Sequence, residues 1–310
     1  MYTNKKYLIT GGAGFIGVNL IHMLKDTAGE IRVLDNFSLG SPELLENLDV
    51  EVIRGDICSV DDIENSIKGM DVVVHLAAHT RVIESVENPV ENFSINVAGT
   101  FNLLQSAVKH NVGKFIFAST GGAIVGDQTP PVHEKMVPRP ISPYGASKMA
   151  GEGYCSAFYG AYGLPTVCLR FSNVYGPYSL KKGSVVAHYF KNILEGKPLI
   201  VYGDGTQSRD YIYVKDLCRA IMLSAECEGA NGEIFQIASG IEVELNKLID
   251  EIRETIYPGK PEIIYADFRK GEIYRNFADI SKAKELLGYS PGVPLKEGLK
   301  NTWQWFLKKN

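Results

Sequence analysis

Along the first half of the chain, short apolar runs alternate with stretches of helical period. Residues 7–10 are apolar or β-prone and run into three glycines, Gly11, Gly14 and Gly17. Phe15, Ile16, Leu20, Ile21 and Leu24 then fall on one face at helical spacing. The strand pattern returns at 31–35 and 50–53, and a polar helix is predicted over 60–68. Residues 71–76 are apolar throughout, as in a parallel strand covered on both faces. A helical pattern over 89–110, a strand over 114–119, a helix over 142–162 and a strand over 166–171 continue the rhythm. This alternation predicts an α/β fold with a doubly wound parallel sheet. After about residue 175 glycine, proline and charge become frequent. Helices are predicted there near 184–195, 214–227, 245–257, 279–287 and 294–308, with short strands at 235–238 and 262–266. Residues 1–175 therefore read as the main sheet domain, completed by later segments. Residues 176–310 read mainly as a smaller α/β lobe closing over it, with a boundary blurred by chain crossings.

Composition narrows the function classes. With 310 residues, 45% hydrophobic and 22% charged, the chain is ordinary globular material with ample core. A net charge of −4 argues against a nucleic-acid footprint, which is normally basic. No run approaches 18 apolar residues, so no membrane span is expected. The first residues enter the first strand directly, which leaves no room for a signal peptide. The five cysteines (Cys58, Cys155, Cys168, Cys218 and Cys227) show no paired spacing, so reduced thiols, a cytoplasmic location and no metal site are expected.

A strand that turns on glycine into a helix N-terminus presents backbone N–H groups and the positive end of the helix dipole to a diphosphate. The spacing here is Gly-x-x-Gly-x-x-Gly, which alone is also compatible with a plain tight turn. Asp35 follows Gly17 by 18 positions, at the end of the second strand, where a carboxylate accepts hydrogen bonds from the adenosine ribose. Its charge disfavours a 2′-phosphate and points to NAD.

The second chemical stretch is Ser142-Pro143-Tyr144-Gly145-Ala146-Ser147-Lys148, with Ser142 as N-cap and Pro143 in the first turn. Tyr144 and Lys148 share a helix face four residues apart. A phenol of pKa near 10 is a poor base at neutral pH, and a neighbouring ammonium favours its phenolate. Such a pair takes a proton from a substrate hydroxyl while hydride leaves it; without a nucleotide-binding start it is more often a solvated helix face. Ser119 and Thr120 end a strand at the sheet edge where ligands bind, and either hydroxyl is placed to hold the substrate oxygen or to cap the next turn.

The chain resembles extended short-chain dehydrogenases/reductases. It carries residues 10–17, Asp35-Asn36, Gly55-Asp56-Ile57, His75-Leu76-Ala77-Ala78, Asn96-Val97-x-Gly99-Thr100, Ser119-Thr120, Tyr144-x-x-x-Lys148, Arg170-x-x-Asn173-Val174-Tyr175-Gly176-Pro177 and Arg209-Asp210-Tyr211-x-Tyr213-Val214 in that family's order. Within it, the chain is most similar to the nucleotide-sugar epimerases and dehydratases of the UDP-galactose 4-epimerase type. The resemblance implies a Rossmann-type domain holding NAD, with Gly11, Gly14, Phe15, Ile16 and Gly17 around the pyrophosphate. Asp35 and Asn36 would hold the ribose, Asp56 and Ile57 the adenine, and Ala77, Ala78, Asn96 and Lys148 the rest. It further implies catalysis by Thr120, Tyr144 and Lys148. A UDP-sugar would be bound by Ser119, Thr120, Tyr144, Asn173, Val185, Val186, Tyr202, Arg209, Arg269 and Asn276. A homodimer is implied too, through helices bearing Phe101, Leu103, Leu104, Met149, Tyr154 and Phe158.

The implied reaction is 4-epimerisation of a UDP-hexose through a transient 4-keto sugar. A UDP-glucuronate 4-epimerase, a 4,6-dehydratase, a net dehydrogenase and a non-catalytic NAD-binding regulator are the rivals. Gly121-Gly122 replaces the acids that dehydratase relatives carry after the threonine, which counts against elimination of water. Tyr178 stands where an arginine is frequent. Lys181 and Lys182 after it read as a solvated loop or as partners of a uronic-acid carboxylate.

Overall fold

The computed structural model describes residues 4–255, 261–268 and 273–309. Its main sheet has seven parallel strands: β1 (Lys6–Thr10), β2 (Glu30–Asp35), β3 (Glu51–Arg54), β4 (Val72–His75), β5 (Lys114–Thr120), β6 (Thr166–Phe171) and β7 (Glu233–Ile237). They lie side by side in the order β7-β6-β5-β4-β1-β2-β3. From β1 the chain builds outward to β3, then returns to place β4 on the other side of β1. The register sets Thr10 beside both Leu34 and His75, and Thr120 beside Phe171. The carboxyl ends therefore align along one edge, with the change of direction between β1 and β4, the place where open α/β sheets bind ligands.

Both faces of the sheet are covered, which is why the strands are apolar without alternation. Tyr7, Ile9, Val33, Val74 and Ile116 pack one way, beneath the helices Phe15–Leu24 and Val214–Glu226. Leu8, Leu34, Val73, Phe115 and Phe117 pack the other way, against Ile63, Leu103, Leu104 and Phe158. Leu103, Leu104 and Phe158 are thus core residues of this chain, while Met149 and Tyr154, 38% and 39% exposed, stay on the surface. A third apolar cluster, including Phe190, Leu199, Leu248 and Phe306, joins the helices Val185–Leu194, Leu245–Thr255 and Leu295–Lys309. The sheet takes its edge strand β7 from this later half of the sequence.

The helical pattern over 89–110 is broken into Pro89–Phe93, a wide π turn at Ser94–Gly99, and Thr100–Lys109. The break coincides with Asn96, whose amide is drawn sideways into hydrogen bonds outside its helix. The strands Asn173–Tyr175, Leu199–Tyr202 and Tyr211–Tyr213 are too short to leave a readable period.

Beneath the carboxyl edge lies a buried ion pair. Arg170 Nε and Nη2 each donate to Glu152 at 2.8 Å, and both side chains are at most 5% exposed. Glu152→Leu leaves the buried guanidinium without its hydrogen-bonded carboxylate and is expected to destabilise the fold by about 3–5 kcal/mol in urea unfolding at neutral pH. The double variant Glu152→Leu/Arg170→Met should recover most of that loss.

Candidate active site

A cleft of about 560 Å³ opens at the carboxyl edge. Its floor is the loop after β1. Gly11 has φ +69°, and a Cβ there would lie 2.7 Å from the Ala77 amide nitrogen; one on Gly17 would lie 2.5 Å from Gly12 Cα. These contacts bring the helix Phe15–Leu24 down onto the strand. Its N-cap, Gly14, offers no side chain, so the amides of the first turn are left for a ligand. Phe15, Ile16, Asn36, Ile57 and Ala78 line the same cleft. Asp35 accepts from the amides of Ala13 (3.0 Å) and Phe37 (2.8 Å). Burial pushes its acid up, with those two amides opposing. One bond to each oxygen leaves further lone pairs for ribose hydroxyls. Asn36 Nδ2 donates to Asp56 at 2.8 Å, joining the ends of β2 and β3. A cradle that admits no Cβ, free helix amides and a buried acid with spare acceptors fit NAD.

Behind this floor, His75 Nδ1 lies 2.7 Å from Thr10 Oγ1 and His75 Nε2 2.9 Å from Thr100 Oγ1. Thr10 Oγ1 also accepts from the Ala77 amide at 3.3 Å. The imidazole thus ties β1, β4 and the helix Thr100–Lys109 together directly under the cofactor loop.

The opposite wall carries Thr120, Tyr144 and Lys148. Pro143–Tyr162 begins as its sequence requires, with Ser142 Oγ accepting from the Gly145 amide. Thr120 hydrogen-bonds the Tyr144 phenol, which burial nevertheless pushes up to about 12. The expectation that Lys148 lowers this pKa is therefore corrected. The lysine, itself pulled down to about 8 by burial, donates to Ala118 O at 2.8 Å and lies 4.7 Å over the Phe117 ring. Ser119 Oγ donates its proton to Glu152 at 2.6 Å, which leaves it as an acceptor only. Successive side chains of a strand point to opposite faces, which separates these neighbours. Asn96 does not line the cleft. Its amide accepts from His79 N (2.8 Å) and donates to His79 O (2.9 Å) and Ser147 Oγ (3.1 Å), clamping the loop after β4 to the helix Pro143–Tyr162.

From the second lobe, Asn173 lines the cleft, whereas Val185, Val186, Tyr202, Arg209 and Asn276 do not. Val186 is in the lobe's core, with Val185 packed against it. The Tyr202 carbonyl accepts from Gln207 Nε2 at 2.8 Å. Arg209 Nη1 donates to Ser208 O at 2.8 Å. Asn276 pairs beside Arg209 in a two-residue strand, its amide against Gly122. Arg269 lies outside the described residues. The sequence left His75 without a task and read Lys182 as solvated or as a partner of a uronic-acid carboxylate; in the structure Lys182 lines the cleft wall.

The fold and this wall define a dinucleotide-binding α/β enzyme with a Thr-Tyr-Lys hydroxyl site. Residues 7–238 match the NAD dependent epimerase/dehydratase family, and the chain belongs to it. A UDP-glucose 4-epimerase of Thermotoga maritima, solved with UDP-glucose, is 38% identical with a TM-score of 0.92, the match covering 98% of this chain and 99% of that one. A UDP-N-acetylglucosamine 4-epimerase of Methanobrevibacter ruminantium, in complex with UDP-N-acetylmuramic acid, is 33% identical with a TM-score of 0.94, covering 99% and 100%. A dTDP-glucose 4,6-dehydratase of Streptomyces niveus is 31% identical over 97% of this chain and 92% of its own.

Burial pulls the His75 imidazole down to about 3. In the unfolded chain it titrates near 6.5, so below that pH the unfolded state takes up a proton that the fold refuses. Stability should fall by about 1.4 kcal/mol per pH unit from this group, roughly 2 kcal/mol by pH 5. Urea midpoints at pH 7.5 and 5 measure the slope, and His75→Gln should flatten it.

Proposed function

We propose that this protein is a nucleotide-sugar 4-epimerase acting on a UDP-hexose. The observation that carries the choice over dehydration is the surroundings of the glycine pair after Thr120. A Cβ on Gly121 would lie 2.6 Å from Gln236 Oε1, and one on Gly122 2.6 Å from Asn276 Nδ2. The pair has no side chain to transfer a proton, and the amides of Gln236 and Asn276 stand beside it. Among the described cleft residues the carboxylates are Asp35 and Asp56, both on the adenosine side. Elimination of water across C5 and C6 needs a proton donor and acceptor beside the sugar; epimerisation at C4 needs only a group that takes and returns one hydroxyl proton.

When bound, NAD supplies a reversible hydride acceptor. Thr120 orients the 4-hydroxyl, and Tyr144 accepts its proton and later returns it. Burial holds this phenol above its ordinary value, and positive charge entering beside it favours the phenolate. Lys148, anchored at Ala118 O, holds its cation beside that wall. The 4-keto sugar must then present its other face before the proton and hydride come back.

Proton NMR of UDP-glucose, UDP-N-acetylglucosamine and UDP-glucuronate, each incubated with the protein and no added cofactor, tests the reading. A 4-epimer of one of them is expected; loss of water from the sugar would replace epimerisation with dehydration. Tyr144→Phe should lower kcat by roughly 10²–10⁴-fold with bound NAD unchanged.

The free thiols fit a cytoplasmic enzyme, and the exposed Val90, Phe93, Met149 and Tyr154 support a homodimer. Light scattering should give the mass of two chains, falling to one in Met149→Asp/Tyr154→Asp.

A further inference from the structure

The loop between the strand Asn173–Tyr175 and the helix Val185–Leu194 holds two consecutive lysines. Its root is fixed to the cofactor domain. Asn19 Nδ2, on the helix Phe15–Leu24, donates to Pro177 O at 2.9 Å. Tyr178, at φ +68°, stacks on His22 with ring centroids 5.3 Å apart and packs against Trp305. From this root the loop crosses the mouth of the cleft. Lys181 Nζ reaches the far bank and donates to Gly40 O at 3.2 Å, on the loop behind Asp35.

Lys182 turns inward instead. Its Nζ donates to Val174 O at 3.0 Å and lies 4.9 Å over the Phe15 ring. No carboxylate pairs with it among the described residues, and burial pulls its ammonium down to about 8. This half-buried ammonium has one carbonyl partner and donor capacity to spare. Here it is placed beside Phe15, the first residue of a helix whose uncapped N-terminal amides and positive dipole end open on the same cleft. An anion seated between them is attracted by both.

We propose that Lys182 is the counter-ion of the NAD diphosphate, delivered to the dinucleotide from the second lobe. The contact with Phe15 favours the dinucleotide over the sugar nucleotide, because Phe15 belongs to the glycine-loop helix. The lysine pair then acts as a strap: Lys181 ties the loop across the groove, and Lys182 gives it a charge to close on. The inference stands on the NAD of the family and is independent of which sugar is turned over.

The test is exchange of bound NAD for isotopically labelled NAD, followed by mass spectrometry of the released cofactor, with UDP affinity measured in parallel by calorimetry. Lys182→Met and Lys182→Gln should exchange roughly tenfold to a hundredfold faster than the native protein, the loss of one charge-assisted hydrogen bond. Lys182→Arg should stay close to native, and UDP affinity should be unchanged in all three. If Lys182→Met fails to fold, the Gln and Arg variants decide. Native exchange rates in the neutral variants would overturn the proposal. So would weakened UDP binding with native exchange, which would assign the charge to the sugar nucleotide. A native protein that retains no NAD would overturn the cofactor assignment itself, a result separate from either.

Discussion

The structure depends on how closely one helix approaches one strand. Gly12 and Gly17 meet with no room for a Cβ on the latter, and Gly11 lies against the Ala77 backbone. This double contact sets the depth of the cleft and aims the first-turn amides into it. It also fixes the distance between the nucleotide floor and the wall of β5. A side chain at these positions would lift the helix and lose the floor, whatever the rest of the sheet did. The His75 link beneath the floor keeps β1 and β4 in step at the point where strand order reverses.

The opposing wall is built by a second alignment. Tyr144, Lys148 and Glu152 succeed one another at intervals of four along one helix. They meet, in turn, Thr120, the Ala118 carbonyl and Ser119 along β5. Thr120 hydrogen-bonds the Tyr144 phenol, while Ser119 is joined through Glu152 to the buried Arg170. A phenol pushed up to about 12 and an amine pulled down to about 8 coexist in the wall: each is controlled by its own burial more than by the other.

Much of this was legible in the chain. The strands of the main sheet have unbroken apolar runs because both faces are covered, and the glycine triplet and the Ser-Pro start of the helix Pro143–Tyr162 have strong local signatures. What escaped depends on contacts between distant segments. Strands of two or three residues such as Ser208–Arg209 and Tyr211–Tyr213 have no period of their own. The choice between Ser119 and Thr120 rests on where Glu152 stands. Asn96 matches a family position, yet its bonds to His79 and Ser147 are visible only once the loop after β4 has been folded over it. Lys182 reads as a loop lysine because the sequence does not reveal that Tyr178 and Asn19 fasten that loop to another domain.

The late arrival of β7 has a consequence for synthesis. Until residue 237 has been made, β6 is an outer strand: six buried residues with one side of their hydrogen-bond ladder unfilled. An open, apolar edge of that kind invites pairing with another chain. The nascent protein therefore passes through a stretch of some sixty residues in which its nucleotide domain is nearly finished and at its most adhesive. The strand that fills the ladder of β6 comes from residues 233–237, after all the segments that follow residue 175 up to that point.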